Sequence, residues 1–309
     1  MSRLCYGCII GIVCAFWNNS APVNGSNILI VPLSGEGSHY HLATAVGEAM
    51  VTRGHNVTIL LSDIFEGSST IISNQESGFS YQYYQSHITL EQFHDFMESF
   101  TRAGLKGEYM SFVMSNMSWH TEAIAKECDL LLDNMTTEAS SPLRNANFSL
   151  AVTDFALPCP IAQRLDIPYV LLSPILAIPS AYLLANRNVM NPSYMPEMLT
   201  AYDHRMSFKE RLLNTISTAM WTLLTHIVVQ PRNQHLRARY DLRGEVSLMF
   251  TDAEMWLINS HIALDFPRPL LPNTKFVGGL TTKPAKSLSQ VGTHTYLYIL
   301  IFHVSRLGV

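Results

Sequence analysis

The sequence predicts an α/β fold: a mostly parallel, Rossmann-like sheet flanked by helices, spanning roughly residues 27–290. Three observations support this. The stretch Asn27–Leu61 reads as strand, helix, strand, and Phe148–Ser173 repeats that order. A histidine, His39, and an aspartate, Asp154, each stand just past the carboxyl end of the leading strand of a unit. In open α/β sheets that edge is where ligands bind.

In the first unit, Ile28–Leu33 is apolar and β-prone. Leu42–Val51 mixes Ala, Val, Glu and Met in an order that suits a helix, and Arg53-Gly54-His55 ends it, Gly being the usual residue just past a helix. Val57–Leu61 is the next apolar run. Two buried strands around one helix make a parallel, right-handed β-α-β unit. A helical middle follows. Leu90–Ala103 and Tyr109–Leu132 have helical spacing and are rich in Phe, Met and Trp, which suits either core packing or the lining of an apolar substrate pocket. The second unit comprises strand Phe148–Thr153, a short helix Pro160–Leu165 with Pro early, where it is tolerated, and strand Tyr169–Ser173. Leu212–Gln230 has no Asp, Glu, Lys or Arg in nineteen positions. That length would permit a transmembrane helix, but Ser, Thr, Asn and His226 leave it only moderately apolar, so a buried or membrane-surface helix is expected. Met255–Asn259 reads as a further strand, and Pro267, Pro269 and Pro272 mark a loop.

With 309 residues, 48% hydrophobic and 14% charged, the chain can bury a sizeable core. The net charge of -4 and the absence of a long basic run give nucleic-acid binding no support. Arg3 followed by the apolar stretch Leu4–Trp17 reads as a secretory signal peptide, with residues 1–24 as its approximate extent. Three of the five cysteines, Cys5, Cys8 and Cys14, would leave with it. Cys128 and Cys159 remain, too few for a disulfide scaffold. Six glycosylation sequons occur, at Asn18, Asn24, Asn56, Asn116, Asn134 and Asn147, and Asn56, opening a strand expected to be buried, is the weakest.

His39 and His41 lie at the start of the first helix. A histidine there meets the positive end of the helix dipole, which disfavours the charged ring and leaves it able to accept a proton. An aspartate on the facing loop, Asp154, could bond the other ring nitrogen, fix the tautomer and stabilise the imidazolium that forms. Such residues in α/β loops also have a plain structural reading. Ser38 and Ser173 lack the G-x-S-x-G elbow of a serine hydrolase. In "SGEGSHYH" Tyr40 fills the place of the third Gly of a dinucleotide fingerprint, and no zinc-like spacing of His and Cys occurs.

Longer motifs narrow the choice. "GSHYHLATAVGEAMVTRGHNVTIL", "LAVTDFALPCPIAQRLDIPYVLLS", "NPSYMPEMLTAYDHRMSFKERLLNT" and "MWLINSHIALDFPRPLLPNTKFVGGLTTKPAKSLSQ", in that order, resemble successive segments of the UDP-glucuronosyltransferases, membrane-associated enzymes of the endoplasmic reticulum lumen. The resemblance implies a GT-B fold, two Rossmann-like domains with the active site between them. Residues 25–290 would be the N-terminal domain, which binds a small lipophilic acceptor; the C-terminal domain binds the UDP-sugar. It further implies that His39, in "GSHY", is the general base and Asp154, in "VTDFALPC", its partner. His41 would lie on the helix surface and His55 in a structural turn. The implied reaction is a single inverting displacement at the sugar's anomeric carbon. It needs no metal or cofactor, the UDP-sugar being a co-substrate.

The resemblance stops after Ser289-Gln290, and the tail 291–309, "VGTHTYLYILIFHVSRLGV", is not family-like. The donor domain, the C-terminal membrane span and the basic cytosolic tail of the family have no counterpart in these 309 residues, a pattern expected of a truncated product. Two functions follow as expectations. One is a UDP-glycosyltransferase whose donor side must be supplied, inactive alone. The other is a non-catalytic acceptor-binding or regulatory module that associates with itself or with a full-length family member.

Overall fold

A computed structural model describes residues 25–74, 77–106, 108–133, 142–156, 159–174, 180, 188, 190–197, 200, 202–242 and 252–282. The signal-like start and the tail from 291 lie outside the described residues. In chain order the described elements are β1 (Asn27–Val31), α1 (Gly37–Val51), β2 (Asn56–Ser62), α2 (Ser69–Ser73), β3 (Ser80–Tyr84), α3 (Leu90–Lys106), α4 (Tyr109–Leu132), α5 (Pro142–Asn145), β4 (Leu150–Asp154), α6 (Ile161–Leu165), β5 (Tyr169–Ser173), α7 (Phe208–Tyr240), β6 (Met255–Ile258) and β7 (Thr274–Phe276).

The strands form one seven-stranded sheet in the order β3-β2-β1-β4-β5-β6-β7. Every pairing is parallel. The reason is visible in the central strands. In β1, Leu29 and Val31 point into one apolar cluster, Ile28 and Ile30 into the other. In β5, Leu171 and Leu172 divide the same way. A strand apolar on both faces must be covered on both faces, which is the condition of a parallel sheet. Helix α1 covers one face through Tyr40, Leu42, Ala43 and Val46. Helices α4 and α7 cover the other through Leu131, Leu132, Leu236 and Tyr240. Each of the leucines and valines among them, once fully buried, stabilises the fold by about 1.5–3 kcal/mol.

The two helices of the middle differ: α4 packs on the core through Cys128, Leu131 and Leu132, and α3 does so far less. Helix α3 buries only Ala103, and its Phe96 and Phe100 meet Phe112 of α4 in a small aromatic cluster outside the main core. The stretch 212–230 is helical, as expected, but as part of a 33-residue helix whose apolar side chains are largely turned outward. The expectation of a buried helix is therefore corrected: Asn214 and Thr218 go inside, and Leu212, Ile216 and Leu223 stay exposed. Asn214 makes this arrangement stable. Its amide donates to Pro192 O and Met195 O, and its carbonyl oxygen accepts from Glu197 N, so the buried polar group has partners on every side. Among the described residues no helix is long and apolar enough to cross a membrane.

Cys128 of α4 and Cys159, in the loop after β4, form a disulfide with their Cα atoms 5.2 Å apart. The pair closes a chain separation of 31 residues, which in the chain-entropy view stabilises the fold by about 3–4 kcal/mol. Asn56 is exposed at the start of β2, so the objection that its sequon is buried does not hold.

Two outcomes are expected. The double variant C128A/C159A should lose about 3 kcal/mol of unfolding free energy, and reductant should do the same to the wild type. Denaturant titration with and without reductant checks this; equal midpoints would count against the bond. Burial raises the pKa of the Tyr81, Tyr84 and Tyr169 phenols above their ordinary value. An acid whose folded pKa is raised contributes stability that is present below the unfolded pKa and lost as pH rises past it. The melting temperature should therefore fall as pH climbs through about 10, the unfolded tyrosine value. A flat profile there, or early tyrosinate absorbance from the folded protein, would contradict it.

Candidate active site

The strand order reverses direction at the β1–β4 boundary: chain progress runs outward through β2 and β3 on one side and through β5, β6 and β7 on the other. Such a switch point opens a crevice at the carboxyl edge of the sheet. His39 and Asp154 flank it. Asp154 is the last residue of β4, and His39 lies in the first turn of α1, the helix that follows β1.

The loop between β1 and α1 is shaped by its two glycines. Gly35 lies so close to Phe65 that a Cβ would come within 2.5 Å of its side chain. Gly37 opens the helix with φ +72, a left-handed conformation that side chains disfavour. This is the role of the "GEG" that falls short of a dinucleotide fingerprint. Tyr40 is fully buried, with its hydroxyl 2.9 Å from that of Tyr81, and it anchors the first turn of α1 from beneath. His39, one residue earlier, is thereby turned toward the crevice side.

His39 Nδ1 stands 2.6 Å from Asp154 Oδ2. The other carboxylate oxygen, Oδ1, accepts the Ala156 backbone N–H at 2.8 Å. Asp154 is 3% exposed and His39 21%. A carboxylate can only accept, so Nδ1 carries the hydrogen, and in the neutral ring Nε2 is the nitrogen left with a lone pair. The two residues singled out from sequence are thus brought together, across 115 positions of chain. His41 is exposed on the helix surface. His55 accepts the Ser26 backbone N–H at 3.2 Å, a structural contact at the turn. Ser38 is exposed, and Ser173 is buried at the end of β5.

Two further histidine–carboxylate pairs lie beyond β3, and sequence reasoning did not find either. His87 Nδ1 is 2.7 Å from Glu127 Oε1, which also accepts Ser86 Oγ and the His87 backbone N–H. So many local donors on one oxygen mark a clamp that ties the chain after β3 to α4. His94 of α3 lies 2.8 Å from Glu36, the residue preceding α1, and joins α3 to the loop that carries His39. Their separations of 40 and 58 residues leave no local pattern to read. Among the described residues no group of three or more His, Cys, Asp or Glu is placed to hold a metal ion.

A concavity of about 560 Å³, bordered by Phe148, Arg144, Arg164, Ile167 and Tyr240, lies before the starts of β4 and β5, at the opposite edge of the sheet. It is distant from His39, and the ligand-binding edge of an open parallel sheet is the carboxyl one.

The family model described as UDP-glucoronosyl and UDP-glucosyl transferase matches residues 26–296. Bovine (Bos taurus) UDP-glucuronosyltransferase 3A1 is 28% identical over 277 residues, covering 86% of this chain and 50% of the relative. The Mus musculus 2-hydroxyacylsphingosine 1-beta-galactosyltransferase is 28% identical over 279 residues, with coverage of 89% and 49%. The chain spans about half the length of the curated relatives it matches. Among solved structures, CalG4, the calicheamicin glycosyltransferase, is similar at 15% identity and a TM-score of 0.43, over 82% of this chain and 53% of that one. That likeness is too slight to add to the fold already described. The family match covers most of the chain, including both His39 and Asp154, and the chain belongs to the UDP-glucoronosyl and UDP-glucosyl transferase family.

Proposed function

We propose that residues 25–290 are the acceptor-binding side of an inverting, GT-B UDP-glycosyltransferase, with His39 as general base and Asp154 as its positioning partner. The observation that carries this is the 2.6 Å His39–Asp154 contact at the switch point of a parallel sheet. The acceptor is a small lipophilic molecule with a hydroxyl. Nε2 of His39 takes the hydroxyl proton as the acceptor oxygen bonds to the anomeric carbon. The bond from that carbon to the UDP oxygen breaks, UDP leaves with the electron pair, and the configuration inverts. Asp154 holds the ring and balances the imidazolium charge. Base assistance of this kind is worth about 10²–10⁴-fold. The UDP-sugar must be held in line about 3–3.5 Å from the acceptor oxygen, and residues 1–309 alone are proposed to bind acceptor without completing transfer.

In a fusion that carries a family donor half, His39→Ala should lower transfer by about 10²–10⁴-fold and leave acceptor affinity within about twofold. His41→Ala should stay near wild type. The unfused chain, given UDP-glucuronic acid and a panel of phenols, should form no conjugate above the His39→Ala background. Loss of activity in His41→Ala with an unaffected His39→Ala would reassign the base, and robust turnover by the unfused chain would overturn the need for a donor half.

The reading places the protein in the lumen of the endoplasmic reticulum or the secretory pathway. The Cys128–Cys159 bond supports this, since structural disulfides persist in oxidising compartments. Expressed in animal cells, the chain should shift on a gel after glycosidase treatment. An unshifted band with an intact N-terminus would argue for the cytosol.

A further inference from the structure

Of the six sequons, Asn56, Asn116 and Asn147 have their asparagine among the described residues. To attach a sugar, a transfer enzyme must reach the asparagine amide and the hydroxyl two positions on together. The finished glycan, bulky and hydrophilic, must then lie in solvent.

The fold separates the three. Asn116 sits within α4, half-buried, and its amide donates to Phe112 O at 2.8 Å. Asn56 is exposed but opens β2, and its amide donates to Asn27 Oδ1 at 3.0 Å. Thr58, which supplies the hydroxyl of that sequon, is an inner position of the sheet, paired to Leu29 on one side and Ser80 on the other. Asn147 differs in each respect. It is exposed in the loop between α5 and β4, and among the described residues nothing bonds its side-chain amide. Phe148, 7% exposed, packs into the core, and Ser149 beyond it is exposed again. The buried ring thus anchors the middle of the sequon and leaves both of its reacting groups in solvent. The Ser149 backbone N–H donates to Asn27 O at 2.9 Å and ties the segment to β1.

The backbone at Asn147 is left-handed, with φ +48, a conformation that Asn adopts more readily than most side chains. That turn alone would account for an asparagine at 147. It does not account for an exposed hydroxyl two residues on. Sugar is added to a chain that is still folding, and this favours the same position. Asn147 lies in a loop whether or not β4 has paired with β1, whereas the Asn116 amide is withdrawn once α4 winds.

We infer that Asn147 is an N-glycosylation site and that Asn116 stays bare. The inference rests on the lumenal reading given above. The sugar would stand at the amino edge of the sheet, beside Arg144 and Arg164 at the concavity there. It would leave the carboxyl edge, with His39 and Asp154, unobstructed.

The test expresses the whole chain in animal cells behind an added, cleavable secretory signal, so that entry to the lumen is assured. Enzymatic release of glycans in heavy-oxygen water turns each glycosylated Asn into a mass-marked Asp. Peptide mapping should find the mark at 147 and none at 116. Replacing Asn147 itself could disturb the left-handed turn, so the decisive variant is Ser149→Ala, a change at an exposed position that keeps the asparagine. It should migrate one glycan faster than wild type before glycosidase treatment and identically after it, with an unchanged circular dichroism spectrum. Asn116→Gln should not shift. An unmarked Asn147 in chain whose signal has been cleaved would overturn the inference, and a mark at Asn116 would overturn the exclusion of that residue. If the added signal is needed for delivery and Asn147 is then marked, the lumenal reading fails and the site stands.

Discussion

The pairing of β1 with β4 is the constraint on which the site rests. The register Ile28↔Leu150 through Val31↔Thr153 sets the ends of the two strands level with each other. Asp154 follows directly from that register, as the next residue of β4. His39 follows less directly, through a loop that turns at Gly35 and Gly37 and a helix whose first turn is pinned by buried Tyr40. A slip of one residue between β1 and β4 would exchange the faces of every side chain on the slipped strand. Both strands are apolar on both faces, so burial alone would tolerate such a slip. What resists it is the polar end: the slip would carry Asp154 away from His39 and break the bond between them.

Much of this architecture was legible in the sequence because central parallel strands announce themselves. β1, β2, β4, β5 and β6 are short apolar runs, and their positions follow from composition. β3, "SYQYY", is a half-exposed edge strand with neither a continuous apolar run nor clean alternation. β7 has three residues and follows a proline-rich loop. Edge strands need fewer apolar residues, and their signal is correspondingly faint. The start of α7 was readable, since Ser207 and Glu210 have capping-box spacing, but its orientation was not. The polar set Asn214, Thr218 and Thr222 recurs every four residues, yet only the contacts of Asn214 show which side faces inward. His39 and Asp154 were found by their places after equivalent strands and by resemblance. The Cys128–Cys159 bond and the His87–Glu127 clamp were not, because each joins residues whose nearness arises only once α4 packs on the sheet.

Polar groups do the positioning outside the core. Glu197 accepts both the Ser180 backbone N–H and its hydroxyl, and its own backbone N–H reaches Asn214, so the segment after β5 is tied to α7 without an apolar contact being needed. In the loop before β7, Arg268 and Asp265 are almost wholly buried and meet through two parallel bonds, with the guanidinium lying over Phe276. A buried pair of this kind contributes little net stability, but removing one partner leaves a charge stranded and costs several kcal/mol, about 3–5. Such contacts define where loops go; the apolar clusters determine that the chain folds at all.

Asp154 holds His39 with one oxygen and a backbone N–H with the other, so the ring is fastened to the end of a central strand. Under the proposed reaction, a base fixed in this way cannot search. For an acceptor with several hydroxyls, the one modified would then be decided by how the molecule lies against Nε2, and a mixture of products would record a mixture of poses. Regioselectivity would belong to the walls of the crevice, and substitutions far from the dyad would redirect it while leaving the proton transfer itself unchanged.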